Sequence, residues 1–172
     1  MNYSPIKTLR PFLTKFLLIT LLLTTAISCG QQSATAPTTT ASEQPQSLST
    51  VTMSLADHPF VLQLAATDQQ REIGLMYREN MPADQGMIFT FTKEDQMAFW
   101  MKNTHIPLDI VFINHQGRVV AIQHGKPFDL TSLESGEPAQ YVIELNDGAA
   151  ARAGLKVGDN VKVPQEVTSA AR

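Results

Sequence analysis

The chain has 172 residues, one cysteine and a formal net charge of −3. This length suits one domain with extensions. An acidic chain gains no counterion-release affinity for a phosphate backbone, which disfavours nucleic acid as a partner.

The first 28 residues have the layout of a secretory signal peptide. Lys7, Arg10 and Lys15 precede the apolar run 16–23, and a short stretch of small, mildly polar residues follows. The apolar run is shorter than the ~20 residues of a membrane span. We therefore expect residues 1–28 to be a signal peptide, and without their three positive charges the net charge becomes −6.

Cys29 lies directly after this segment. Ala26-Ile27-Ser28-Cys29 resembles the bacterial lipobox, whose cysteine is lipidated, although that motif usually has Leu where Ala26 stands. The alternative is an ordinary cleaved signal peptide that leaves an unpaired thiol. Acyl chains on Cys29 would anchor the protein to a membrane, facing the periplasm. Gly30 favours the outer membrane, because inner-membrane lipoproteins typically have Asp there.

The remaining chain divides by composition. Residues 29–50 hold the lipidated cysteine and a tether rich in Ser, Thr, Gln, Pro and Ala, which cannot bury enough apolar surface to order itself. Residues 51–164 form the predicted folded domain, and residues 165–172 a flexible tail.

Strand patterns dominate the domain. Short apolar or alternating segments predict strands at 51–55, 60–64, 87–91, 97–101, 108–113, 119–123, 141–145 and 160–163. Thr67 and Gln70 form a capping box that predicts a helix, in which Ile73, Met76 and Tyr77 make an inward stripe. A second short helix is predicted at 148–153. The expected fold is mainly β: a single compact β-sandwich or barrel-like domain with two short helices.

Several motifs carry a resemblance to a known family. In chain order they are REIGLMYREN (71–80), GMIFTF (86–91), FWMKNTHIPLDIVFIN (99–114), GRVVAI (117–122), YVIELNDG (141–148) and GLKVGDNVKV (154–163). The series closely resembles domain of unknown function 192, also called uncharacterised conserved protein family 127. The resemblance implies a compact, mainly β, often exported domain, and it supplies no reaction.

Polar residues set among these apolar segments are the candidate site. If the strands are covered on both faces, these side chains lie at the edge of a core and need partners. They form either a structural polar cluster or a pocket for a small polar ligand with an aromatic wall. The candidates are Arg71, Arg78, Trp100, Lys102, Asn103, Thr104, Asp109 and Glu144.

These features favour a binding or interaction module at the periplasmic face of a membrane, with a small polar ligand or an envelope protein as partner. The first alternative is a hydrolase of an envelope component that uses Asp109 and Glu144 as an acid–base pair. The second is a copper protein that uses its many methionines, although Met97 and Met101 would lie ~13 Å apart on a strand. We expect no cofactor and no resident metal.

Overall fold

The protein, a computed structural model, is described over residues 44–171. The predicted signal peptide, Cys29 and most of the predicted tether lie outside these residues. In chain order the elements are β1 (Thr50–Leu55), β2 (His58–Ala65), α1 (Asp68–Ile73), β3 (Gln85–Asp95), β4 (Ala98–Phe99), β5 (Leu108–Ile113), β6 (Val119–Gly125), β7 (Leu133–Glu134), β8 (Ala139–Asn146), α2 (Ala149–Arg152) and α3 (Gln165–Thr168). The predicted mainly β class with short helices is confirmed. Over this range, no helix combines the length and apolar character needed to span a bilayer.

One six-stranded sheet organises the domain, with strand order β1-β2-β3-β8-β5-β6. Its neighbours pair antiparallel except β2 and β3, which run parallel. A parallel pair needs a crossover connection, and residues 66–84, which include α1, supply it. β4 and β7 form a separate two-stranded sheet.

Each face of the large sheet carries its own hydrophobic cluster. Side chains alternate along a strand, so Val111 and Ile113 enter one cluster while Ile110 and Phe112 enter the other. We call the first the α2 face, because Ala149 and Ala150 of α2 pack on it. We call the second the corner face, because the segment 97–106 covers it. A polar side chain on a central strand therefore points either to the α2 face or to the corner face.

The capping box at the start of α1 is confirmed. The Thr67 hydroxyl accepts from the Gln70 amide, and the Gln70 side chain accepts from the Thr67 amide. The helix ends earlier than predicted, at Ile73, because Gly74 adopts φ 51° and closes it. The predicted stripe that includes Met76 and Tyr77 is therefore not helical.

Three other segments differ from prediction. The predicted strand 97–101 pairs only over Ala98–Phe99. Segment 160–163 does not form a strand ladder. It is bonded to the β5–β6 turn at single points, one of which is the isolated bridge between Arg118 and Asn160. The tail, predicted to be flexible, contains α3 and buries Val167 in the α2-face cluster.

Candidate functional site

The predicted polar cluster does not form one site. Its members lie on both faces of the sheet and at the corner after β4, and each has a different set of contacts.

The two arginines bind backbone and hold segments together. Arg71 is 6% exposed and donates to the carbonyls of Ala66 (2.6 Å) and Thr90 (2.8 Å), which fastens α1 to β3. Arg78 donates to the carbonyl of Gln46 (2.7 Å) and to Gln63 Oε1 (2.8 Å). Burial lowers the pKa of Arg78 from its usual value. Both contact sets are structural.

Glu144 is buried on the corner face, where residues 44–171 give it no hydrogen-bond partner. On neighbouring strands it pairs with Met87 and Ile110, so apolar side chains flank it. Neither carboxyl oxygen has a hydrogen-bond partner among residues 44–171. Burial raises its pKa from 4.5 to about 8, so the group is mainly protonated at neutral pH. Trp100, packed against the same cluster, also buries its indole N–H without a partner in that range.

Asp109 lies on the opposite face from Glu144. It pairs with Leu145 across β8, whereas Glu144 pairs with Ile110. Since side chains alternate between faces, the two carboxyl groups point to opposite sides of the sheet. They do not form the predicted acid–base pair.

The Asp109 carboxylate is preorganised at the start of α2. Oδ1 accepts from the Gly148 amide (3.0 Å) and Oδ2 from the Ala150 amide (2.9 Å), although the residue is fully buried. His124 Nδ1 lies 2.8 Å from Asp109 Oδ1 and 3.3 Å from Asp147 Oδ1. A buried carboxylate, an exposed imidazole and an exposed carboxylate thus converge on one point.

Lys102, Asn103 and Thr104 form a tight corner between β4 and β5. Asn103 adopts φ 53°, and its side-chain amide donates to the Tyr77 hydroxyl at 2.9 Å. Thr104 is fully buried and donates to the Lys102 carbonyl at 3.2 Å. Lys102 is exposed, with its ammonium 5.5 Å from the centre of the Trp100 ring. Thr104 thus bonds a backbone carbonyl of the corner, whereas the Asn103 side chain bonds another side chain.

Three residues with left-handed backbone conformation meet at this corner. Tyr77 (φ 64°), Asn103 (φ 53°) and Phe128 (φ 61°) all adopt it, although each carries a side chain. The Tyr77 amide donates to the Asn103 carbonyl at 2.8 Å, and the Phe128 amide donates to the Thr104 carbonyl at 3.2 Å. Asparagine adopts positive φ readily, whereas bulky residues rarely do, so the strain at Tyr77 and Phe128 marks the corner within the described chain.

An apolar surface lies beside the corner. Phe128 is 57% exposed and Leu130 is 62% exposed. The Phe128 ring stacks against His105 with a centroid distance of 4.9 Å, and His105 Nδ1 lies 3.0 Å from Glu79 Oε1. We call the set Trp100, Lys102, His105, Phe128 and Leu130 the corner surface.

The folded domain matches a known family over most of its length. The family model of DUF192, described as "Uncharacterized ACR", matches residues 50–163. The chain belongs to the DUF192 family. The match spans both the corner and the Asp109 site.

Two solved structures resemble this DUF192 chain. A protein of unknown function from Novosphingobium aromaticivorans has 39% sequence identity and a TM-score of 0.65, with 67% of this chain and 86% of that one covered. A putative transcription regulator from Sinorhizobium meliloti has 36% identity and a TM-score of 0.62, with 68% and 97% covered. A comparison with curated proteins gives no significant match.

The methionines of the DUF192 domain do not form the predicted copper site. Met53 belongs to the α2-face cluster, whereas Met87, Met97 and Met101 belong to the corner-face cluster. All four are at most 2% exposed. They fill both cores, which is the usual role of methionine.

Several residues of the corner and of the Asp109 site were not predicted from the sequence. Tyr77 and Phe128 reach the corner from distant segments, and no local pattern signals their positive φ. Leu130 was not predicted to be exposed. His124 and Asp147 meet Asp109 only through strand register and the turn before α2.

Proposed function

We propose that this DUF192 domain is a binding module that is held at a membrane by a lipid on Cys29 and engages another envelope protein through the corner surface. The observation that carries this proposal is the convergence of Tyr77, Asn103 and Phe128 in left-handed backbone at one corner. At Tyr77 and Phe128 this backbone conformation costs about 1–3 kcal/mol for each residue, and it persists only where the surroundings enforce it.

The turn at Phe128 is bonded to the corner but leaves the Phe128 side chain largely exposed. Its amide bond to Thr104 and its contact with His105 fix the ring in place, yet 57% of the residue remains in water. Leu130, two residues on, is 62% exposed. A strained backbone that presents apolar side chains to water is better explained by a partner than by folding.

The composition of the corner surface favours a protein partner. Aromatic anchors surrounded by polar groups are typical of the energetically important centre of protein interfaces. Charged groups of both signs surround the apolar side chains, since Lys102 and Lys126 are exposed there and so are Glu79 and Asp129, which is typical of the polar rim of an interface. A net charge of −6 after residue 28 opposes both self-association and adhesion to anionic lipid. The small apolar area suggests a transient complex.

Site-specific photo-crosslinking in cells tests this proposal. A photoreactive residue replaces Leu130 in the full-length lipoprotein, and the control replaces Val157, an apolar residue of 57% exposure outside the corner surface. We expect a protein adduct at position 130 that is absent at 157 and lost with Phe128→Ala. The identified protein, once purified, should bind the Phe128→Ala chain at least about tenfold more weakly, a loss typical of a hot-spot truncation. Identical adducts at both positions, or binding that Phe128→Ala leaves intact, contradict the proposal.

The anchor is tested separately. Labelled palmitate should enter the wild-type chain and not a Cys29→Ala variant, and the wild-type chain should fractionate with outer membrane. Gly30→Asp should move it to the inner membrane. Label in Cys29→Ala, or wild-type protein released as a soluble periplasmic form, would rule out the anchor and leave the corner surface to its own test.

The hydrolase alternative is not proposed, because Asp109 and Glu144 lie on opposite faces of the sheet. The copper alternative is not proposed, because Met53 lies on the other face from Met87, Met97 and Met101, and all four are buried core residues. The words "putative transcription regulator" belong to the Sinorhizobium meliloti protein. They are not carried over, because the acidic charge of this chain disfavours DNA binding.

A further inference from the structure

We infer that Asp109, His124 and Asp147 form a binding site for a first-row divalent metal ion such as Zn²⁺. This site lies on the α2 face of the sheet and is independent of the corner surface. Its basis is the convergence of one imidazole nitrogen and two carboxylate oxygens from three different segments.

The ligand geometry suits a metal ion. The three ligand atoms all lie within 4.8 Å of one another. Nδ1 of His124 is 2.8 Å from Asp109 Oδ1 and 3.3 Å from Asp147 Oδ1. Ligand atoms around a tetrahedral zinc with bonds of ~2.0–2.1 Å are separated by roughly 3.3 Å. A metal ion would replace the proton that His124 Nδ1 shares with these carboxylates, with little movement of the side chains.

The backbone fixes each ligand. Asp109 and His124 are a cross-strand pair of β5 and β6. The Asp147 amide donates to the Pro107 carbonyl at 3.1 Å, which brings Asp147 beside the start of β5. Amides of Gly148 and Ala150 hold the Asp109 carboxylate at 3.0 and 2.9 Å. Hydrogen bonds of this kind orient metal ligands and strengthen binding.

Charge and access also suit a cation. The site joins two carboxylates to one imidazole, a set that offers −2 when the imidazole is neutral. A neighbouring cation, Arg152, donates from its guanidinium to the Asp147 backbone carbonyl at 3.3 Å. This bond is to the backbone and not to the Asp147 carboxylate. His124 is 67% exposed and Asp147 53% exposed, so an ion can enter and keep water ligands. The imidazole favours transition metals over Mg²⁺ and Ca²⁺.

The chain supplies a matched control. His115 Nδ1 lies 2.8 Å from Glu94 Oε1, and His115 is 56% exposed. This pair repeats the imidazole–carboxylate contact of His124 and Asp109. Among residues 44–171, no second carboxylate lies close enough to His115 to complete a metal-binding group.

Calorimetric titration of the full-length chain with zinc chloride tests the inference. The chain is purified in detergent through a histidine-free tag, and circular dichroism confirms that each variant is folded. We expect one saturable site in wild type and in His115→Ala. His124→Ala and Asp147→Asn should each weaken binding at least about tenfold. Zinc should also raise the melting temperature of wild type and His115→Ala, and not that of His124→Ala.

Two results would overturn the site. The first is the lack of saturable binding in wild type, in which case His124 serves only as an ion-pair partner of Asp109. The second is zinc affinity that His124→Ala leaves unchanged, which would place binding elsewhere on the chain.

Discussion

Glu144→Gln should make the protein more stable at alkaline pH, and the structure sets the size of the effect. Burial raises the pKa of Glu144 from 4.5 to about 8. At 1.36 kcal/mol for each pKa unit, this interval corresponds to a ceiling of about 5 kcal/mol. Glutamine has nearly the same volume and never ionises, so the variant removes the titration and keeps the packing.

The sign follows from proton binding. Between pH 4.5 and about 8 the folded protein holds a proton on Glu144 that the unfolded chain releases. The free energy of unfolding therefore falls as pH rises through this window, by up to about 1.4 kcal/mol per pH unit. Below pH 4.5 both states hold the proton, and above pH 8 both lose it, so the contribution is constant outside the window.

Urea unfolding at a series of pH values measures the difference between wild type and Glu144→Gln. The two should have similar free energies of unfolding below pH 4.5, where Glu144 is neutral in both the folded and the unfolded state. Above pH 8 the variant should be the more stable by up to about 5 kcal/mol. Glu134→Gln, at an exposed position, controls for the general loss of a negative charge.

Two outcomes would refute this reasoning. A difference curve that is flat with pH would mean that Glu144 ionises in the folded state as easily as in the unfolded chain. A variant that is less stable than wild type above pH 8 would mean that the carboxylate has a stabilising partner. Either result would also remove the explanation of Glu144 as a neutral core residue.

Three further variants test other structural assignments by urea unfolding. Asp109→Asn should lower the free energy of unfolding by about 2 kcal/mol, because its amide nitrogen cannot accept one of the two buried backbone hydrogen bonds. An unchanged midpoint would show that these bonds do not stabilise α2. Thr67→Ala should lower the free energy of unfolding by about 1 kcal/mol, because it removes the capping box of α1. An unchanged free energy would mean that α1 does not depend on this cap. Gly86→Ala should lose about 1–3 kcal/mol, because a β-carbon there collides with the backbone oxygen of Glu144; a neutral result would mean that β3 can shift away.

Sequence predicted the elements best where local chemistry bounds them. β5 has the predicted bounds, Leu108–Ile113, because Pro107 precedes it and the turn at 114–117 follows it. Gly117 adopts φ 85° in that turn, as expected of a glycine that ends a hairpin loop. The start of α1 was also predictable from local sequence, because the Thr67–Gln70 capping box lies within four residues.

The sites depend on contacts that local patterns do not encode. Asp109 meets His124 only because a bulge shifts the β5–β6 register between Phe112 and Ile113. Without it, Asp109 would lie opposite Gln123, and His124 would point to the other face. The separation of Asp109 from Glu144 likewise depends on the register between β5 and β8, which are far apart in sequence.

The stretch 99–114 serves two faces of the sheet, which explains why its polar residues do not form one site. Trp100 to Thr104 turn over the corner face, where Asn103 holds Tyr77 and Thr104 receives the Phe128 amide. After Pro107 the chain enters β5, and alternation sends Asp109 to the α2 face, where it fixes the start of α2. A binding surface at the corner and a metal site at Asp109 can therefore change independently. A variant such as His124→Ala should weaken zinc binding and leave the adduct at position 130 unchanged, whereas Phe128→Ala should abolish the adduct and leave zinc binding unchanged.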